Sequence, residues 1–402
     1  MRPEDLDPNF TFETLAVHAG QEPDELTGAV SPPIYQTSTY RQPRVGQPID
    51  DYDYARSKNP TRDRFERAVA ALEGGGEGIA FASGSAATAA ISELAGPDTE
   101  VVVGDDVYGG TFRYLEKVRR PNGVTTRYAD LAGDPESMWE ALSERTRLVW
   151  FETPTNPLLK VVDIEASARV LRERFGDEPR PLMVVDNTFA SPILQRPLDL
   201  GADIVFHSAT KYLAGHSDTV LGVAVTRNPE VAERLRFLQN AAGAVPGPFD
   251  CFLALRGLRT LPLRVGRHAA NASEVARFLA ERSDIDWLSY PGLANGPRAH
   301  PQAATAARQM RAGGGMVSFI PTAKSGRSAR ERAIAICEGT RIFTLAESLG
   351  GVESLIELPA AMTHMSVAGS RLEVPEALVR LSVGIEGVTD LITDLEQALD
   401  GS

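Results

Sequence analysis

The sequence predicts an α/β protein with a mostly parallel central sheet, a smaller C-terminal α/β domain and an extended N-terminal arm. Three observations predict it. From about residue 61, short apolar runs alternate with helix-like segments; polar residues cluster at the C-terminal ends of those runs; and the texture changes again after about residue 260. The expected organisation is an arm over 1–60, a ligand-binding domain over 61–260 and a C-terminal domain over 261–402.

Residues 1–60 are rich in Pro, Gly, Asp and Gln ("SPPIYQTSTYRQPRVGQPIDDYDY") and sustain no period, which predicts an extended arm rather than a packed unit. "TRDRFERAVAALEGG" then reads as a helix, and "EGIAFAS", "TEVVVGDD", "TRLVWFETP", "LMVVDNT", "DIVFHSA" and "LGVAVTR" as short buried strands. Beyond residue 260 come the long helical stretch "RHAANASEVARFLAER", the strand-like "GGMVSFI" and "RLSVGI", and a closing helix "VTDLITDLEQAL".

Composition narrows the function classes. A formal net charge of −13 with no basic stripe argues against a nucleic-acid binder. Two cysteines, Cys251 and Cys337, cannot form a disulfide framework, and "MRPEDLDPNF" lacks the features of a signal peptide, so a cytoplasmic location is expected. No uncharged apolar run approaches the length of a membrane helix. His207 and His216 match no metal-ligand spacing, and no metal is expected. The glycine triplets at 74–76 and 313–315 read as helix ends and turns, Glu353 and Glu357 as helix-face charges, and Cys251 as a packed small residue.

Five loops follow the apolar runs: Ser83 to Ala87, Gly104 to Gly110, Glu152 to Pro157, Asp186 to Thr188 and His207 to Asp218. In an open α/β sheet, ligands bind outside the carboxyl ends of the strands, so these loops should converge on one site. Gly84 and Ser85, with the hydroxyls of Ser208 and Thr210, form a phosphate cradle; Tyr108 offers an aromatic face, Asp186 a carboxylate and Lys211 an amine. That set is what pyridoxal phosphate needs. Taken singly, each residue has another reading: Lys211 as a surface lysine, Asp186 and the serines as caps, Tyr108 as a core aromatic.

The motifs "YARSKNPTR", "DDVYGGTFRY", "ETPTNP", "VVDNTFASP", "HSATKYLAGHSD", "RFLQNAAGAVPGPFDC" and "TLAESLGGVESLIELPAAMTH" resemble, in content and order, the Cys/Met-metabolism family of pyridoxal-phosphate enzymes. The likeness runs from "FETLAVHAGQEPD" to "LVRLSVGIEGVTDLITDLEQAL" and is strongest to the cystathionine γ-lyase branch, with the γ-synthase branch next. It implies the fold type I of pyridoxal-phosphate transferases, like that of aspartate aminotransferase. It also implies pyridoxal 5′-phosphate as cofactor, and a homo-oligomer, a dimer of dimers, whose active sites are shared between subunits.

Residue by residue, the resemblance implies that Lys211 is the Schiff-base lysine and Asp186 the partner of the pyridine nitrogen. Tyr108 would stack on the ring and serve catalysis, while Gly84, Ser85, Ser208 and Thr210 hold the phosphate and Asn156 lies near the ring oxygen. Tyr54 and Arg56 would reach the phosphate of a neighbouring subunit. Arg380 would take the substrate α-carboxylate, with Arg56, Tyr108, Arg113, Glu347 and Ser348 completing the substrate pocket. Ser85 stands where the family usually has Met or Leu, and Lys58 where Gly is common. The implied activity is γ-elimination on L-cystathionine, giving L-cysteine, 2-oxobutanoate and ammonia. The alternatives are γ-replacement of an O-acylhomoserine by cysteine and, further off, a methionine γ-lyase type of activity.

Overall fold

The computed structural model describes residues 7, 9–176 and 179–402. Seven strands build the large sheet: β1 (Glu77–Phe81), β2 (Glu100–Gly104), β3 (Thr125–Ala129), β4 (Thr146–Glu152), β5 (Leu182–Asp186), β6 (Ile204–Ser208) and β7 (Gly222–Thr226). Their order is β1-β7-β6-β5-β4-β2-β3. The continuous apolar runs are explained by burial on both faces. Val149, Phe151, Val185 and Val205 point into one core, and Leu148, Trp150, Val184 and Ile204 into another.

Strands β2 to β6 run parallel, as the sequence predicts. Strand β7 departs from the parallel expectation and is antiparallel to both β6 and β1. No named helix lies between Ser208 and Gly222, and a parallel return needs a crossover, usually helical. Strand β3 gave no apolar run to read: it is an edge strand, "TTRYA", and none of its residues is fully buried.

A second sheet follows, built from β8 (Ile285–Ser289), β9 (Met316–Pro321), β10 (Thr344–Leu345), β11 (Leu355–Glu357) and β12 (Val379–Ser382), in the order β10-β11-β12-β9-β8. Helices Leu261–Glu281, Ala329–Gly339 and Val388–Gly401 cover it. The closing helix buries Leu391, Leu395 and Leu399 at a spacing of four, the stripe that made it legible.

The arm is not wholly extended. Helix α1 (Phe12–His18) is capped by Thr11 and buries Phe12, Leu15 and Ala16 in the core shared with α2 (Pro60–Leu72). Seven residues are too few to display a period or to be stable alone, so only packing makes this helix. Glycines 74–76 follow α2 at positive φ, as turn glycines do. Both cysteines are free and buried. Among the described residues no helix is long and apolar enough to cross a membrane.

Candidate active site

The five loops do converge. A cleft of about 690 Å³ opens at the carboxyl ends of the large sheet's strands, and Arg380 of the second sheet lines it together with Glu347, Ser348, Leu349 and Thr363. Gly84 and Ser85 open helix α3 (Gly84–Ser92), whose N-cap Ser83 accepts the Ala86 N–H at 3.0 Å. Ser83 is thus a capping residue, the plainer of its two readings. A Cβ at Gly84 would come within 3.0 Å of the Ser208 Cβ, so glycine is what lets the helix start pack on the end of β6. Ser208 and Thr210 line the same end of the cleft. The Thr210 hydroxyl also receives the Leu221 N–H at 2.9 Å, tying the loop to the start of β7.

Tyr108 caps helix α4 (Gly109–Tyr114) from the loop after β2, and its backbone N–H donates to Glu152 Oε1 at 2.7 Å. A Cβ at Gly110 would lie 2.3 Å from the Tyr108 ring, so this glycine leaves the space into which the aromatic face folds. Helix α4 widens into a π-helical turn over Leu115–Arg119, a feature frequent at functional sites. Arg113 of α4 lines the cleft.

Lys211 donates from Nζ to Ser348 Oγ at 2.7 Å. Burial, reinforced by the nearby Arg380 guanidinium, lowers its ammonium to about 8. Ser348 holds φ = +104°, a strained conformation for an L residue. Its carbonyl accepts from Arg380 Nη2 at 3.0 Å. Arg380 Nη1 donates to Asn156 Oδ1 at 2.8 Å, while the buried Nε finds no partner among the described residues. Glu347 lines the same cleft.

Glu357 corrects the sequence reading. It is no helix-face charge: it lies on β11, almost wholly buried, and pairs with Arg380 at 3.1 Å. Glu353 lies outside any helix and accepts from the Ser217 hydroxyl. Asp186 ends β5 half-buried and accepts the Thr188 N–H at 2.9 Å; desolvation pushes its carboxyl up. Glu152, on neighbouring β4, was not singled out from the sequence; the only local signal was its place at the end of an apolar run.

Tyr54 and Arg56 are not in this cleft. They bound a separate surface recess of about 400 Å³ with Gln36, Ser38 and Pro248. The Arg56 guanidinium lies 5.4 Å from the Tyr54 ring centre and donates to Asn240 Oδ1 at 3.1 Å. His207 points away from the cleft and meets the buried Glu73 at 2.5 Å; His216 Nδ1 lies 2.7 Å from the Ala214 carbonyl.

The donor set is chemically specific. It offers backbone N–H groups and hydroxyls to an anion at α3, a carboxylate to a cationic ring nitrogen, a flat aromatic face and a partly neutral amine at pH 8. The model of the Cys/Met metabolism PLP-dependent enzymes matches residues 13–400. The chain is 53% identical to a cystathionine gamma-synthase of Mycobacterium tuberculosis over 387 residues, covering 96% of each chain. It is 47% identical to a cystathionine gamma-lyase of Dictyostelium discoideum over 395 residues, covering 98% of each. Among solved structures, metB from Corynebacterium glutamicum superposes with a TM-score of 0.93 at 45% identity, covering 98% of this chain and 100% of that one. Cystathionine gamma-lyase from Lactobacillus plantarum, complexed with L-serine, gives 0.90 at 41%, covering 97% and 99%. The fold is therefore that of its fold type I neighbours, as the resemblance implied.

Proposed function

The chain belongs to the Cys/Met metabolism PLP-dependent enzyme family, and from that premise we propose that it cleaves L-cystathionine by γ-elimination, releasing L-cysteine, 2-oxobutanoate and ammonia. One observation carries this reading. A single cleft gathers the amine Lys211, the guanidinium Arg380, Arg113 and Glu347. These are the groups that a long substrate with an amino acid at each end would meet.

Pyridoxal phosphate, when bound, supplies the electron sink that takes up the electrons released at the substrate carbons. Gly84, Ser85, Ser208 and Thr210, which line the cleft, would hold its phosphate, Tyr108 would offer its face to the ring, Asn156 would serve the ring oxygen, and the Asp186 carboxylate would keep the ring nitrogen protonated. Lys211 would hold the cofactor and move the Cα proton; with its ammonium lowered to about 8 it is partly a free base near neutrality. Arg380 takes the α-carboxylate, and Ser348 orients the Lys211 amine through its 2.7 Å hydrogen bond. Glu347 favours a distal amino group and Arg113 a distal carboxylate. Tyr54 and Arg56, lying outside their own cleft, serve the phosphate of a neighbouring subunit, in a cytoplasmic dimer of dimers.

The second reading is γ-replacement, in which cysteine displaces the acyl group of an O-acylhomoserine to give cystathionine. The 53% identity to the mycobacterial cystathionine gamma-synthase favours it. Both use the same residues, so a product assay separates them. The purified, cofactor-loaded protein receives cystathionine in one reaction, and O-succinyl- or O-acetylhomoserine with cysteine in the other. Faster release of cysteine and 2-oxobutanoate supports elimination. Faster formation of cystathionine replaces that reading with the second, and homocysteine with pyruvate would mark cleavage at the β-carbon and overturn both.

A further inference from the structure

Glu152 and Asp186 stand side by side. They are paired in register on the parallel strands β4 and β5, and both line the cleft. Adjacent strands lie roughly 4.8 Å apart, and these two side chains leave the sheet on the same face, the one bearing Leu148, Trp150 and Val184. Glu152 is buried and Asp186 half-buried. Two carboxylates so placed cannot both ionise without severe repulsion, so the pair holds one proton between pH values where either acid alone would have lost it.

The surroundings decide which acid keeps it. Asp186 is stabilised as an anion by the Thr188 N–H at 2.9 Å, and His207 on β6 adds a favourable field. Glu152 receives one N–H, from Tyr108 at 2.7 Å, and faces two carboxylates, Asp186 and Asp106 of the loop after β2. Arg380 on β12, a cation whose field lowers the Glu152 carboxyl, is already engaged by Glu357 at 3.1 Å and Asn156 at 2.8 Å. Burial first, and Asp186 second, hold the Glu152 carboxyl well above the usual range. A cationic ring nitrogen at Asp186 would sharpen the same asymmetry.

We propose that Glu152 is a positioning residue that works uncharged: its carboxyl fixes the Tyr108 backbone, and so the aromatic face of the cleft, while Asp186 alone presents negative charge to the cofactor's ring nitrogen. The inference rests on the reading of Asp186 given above. A glutamate that functions as a neutral acceptor is mimicked by glutamine, whereas one that functions as an anion is not.

The test is cofactor affinity, measured by titrating the apoprotein with pyridoxal phosphate and following the bound chromophore, for Glu152→Gln, Glu152→Ala and Asp186→Asn. Glu152→Ala should bind about tenfold more weakly, because the Tyr108 N–H loses its acceptor. Glu152→Gln should restore affinity to within about threefold of the unsubstituted protein, since the amide oxygen still accepts. Infrared difference spectra between the unsubstituted protein and Glu152→Gln at pH 7 should contain the C=O band of a protonated carboxyl. Should Glu152→Ala fail to fold, Glu152→Gln and the infrared band decide the matter. Loss of affinity in Glu152→Gln equal to that of Asp186→Asn, or the absence of the carboxyl band, overturns the proposal. Asp186→Asn reports separately: if it binds cofactor undiminished, the role given to Asp186 is what has failed.

Discussion

Glu357 and Arg380 lie directly opposite one another on the antiparallel strands β11 and β12, and their side chains close a 3.1 Å ion pair in the wall of the cleft. With side-chain exposures of 1% and 3%, neither charge has access to water to compensate the loss of the other. The glutamate therefore supports the guanidinium that is proposed to take the substrate carboxylate.

Removing one partner of a buried pair strands the other. Glu357→Ala should destabilise the protein by about 3–5 kcal/mol, read as a lower denaturant midpoint. A loss below about 1 kcal/mol would mean that water or a rearranged acceptor replaces the carboxylate.

Lys211 yields a stability prediction with a definite sign. Its folded value near 8 lies below the ordinary 10.5, so between those limits the unfolded chain binds more protons and the stability of the apoprotein rises with pH. Lys211→Met should make the apoprotein more stable at pH 7 by up to about 3 kcal/mol, a gap that narrows as pH climbs from 8 towards 10.5. Urea unfolding of both proteins at two pH values measures it; a gap independent of pH would contradict the lowered ammonium. In the loaded enzyme Lys211→Ala should abolish turnover and covalent cofactor attachment while leaving the fold intact, and retained turnover would refute its assignment.

Sharing of sites between subunits can be tested by complementation. Arg56→Ala should weaken cofactor retention, and hybrids of Arg56→Ala with Lys211→Ala should regain activity in the sites that combine an intact Lys211 with a neighbour's intact Arg56. No recovery in freely exchanging hybrids would place Tyr54 and Arg56 outside any site.

Substrate choice should depend on Glu347, which lines the cleft. Glu347→Val is expected to reduce kcat/KM for cystathionine about tenfold more than for methionine-like substrates, which lack a distal amino group to pair with the carboxylate. Equal losses on both would leave Glu347 without a part in selection.

The sequence alone determined the features that are local. Apolar runs of three or four residues marked the central strands, because a sheet covered on both faces buries consecutive positions. The polar loops after those runs pointed to one site, because parallel strands end on the same side. Thus Gly84, Tyr108, Asp186 and Lys211 were legible from their neighbours in the chain.

Tertiary structure decided what depends on strand partners far apart in sequence. Glu357 meets Arg380 only through the β11–β12 register, and Glu152 becomes Asp186's neighbour only through β4–β5 pairing, 34 positions away. The reversed β7 and the packing of helix α1 are of the same kind. A residue's period records whether it is buried; only pairing and packing determine which charge it is buried against, and that sets whether a carboxyl ionises.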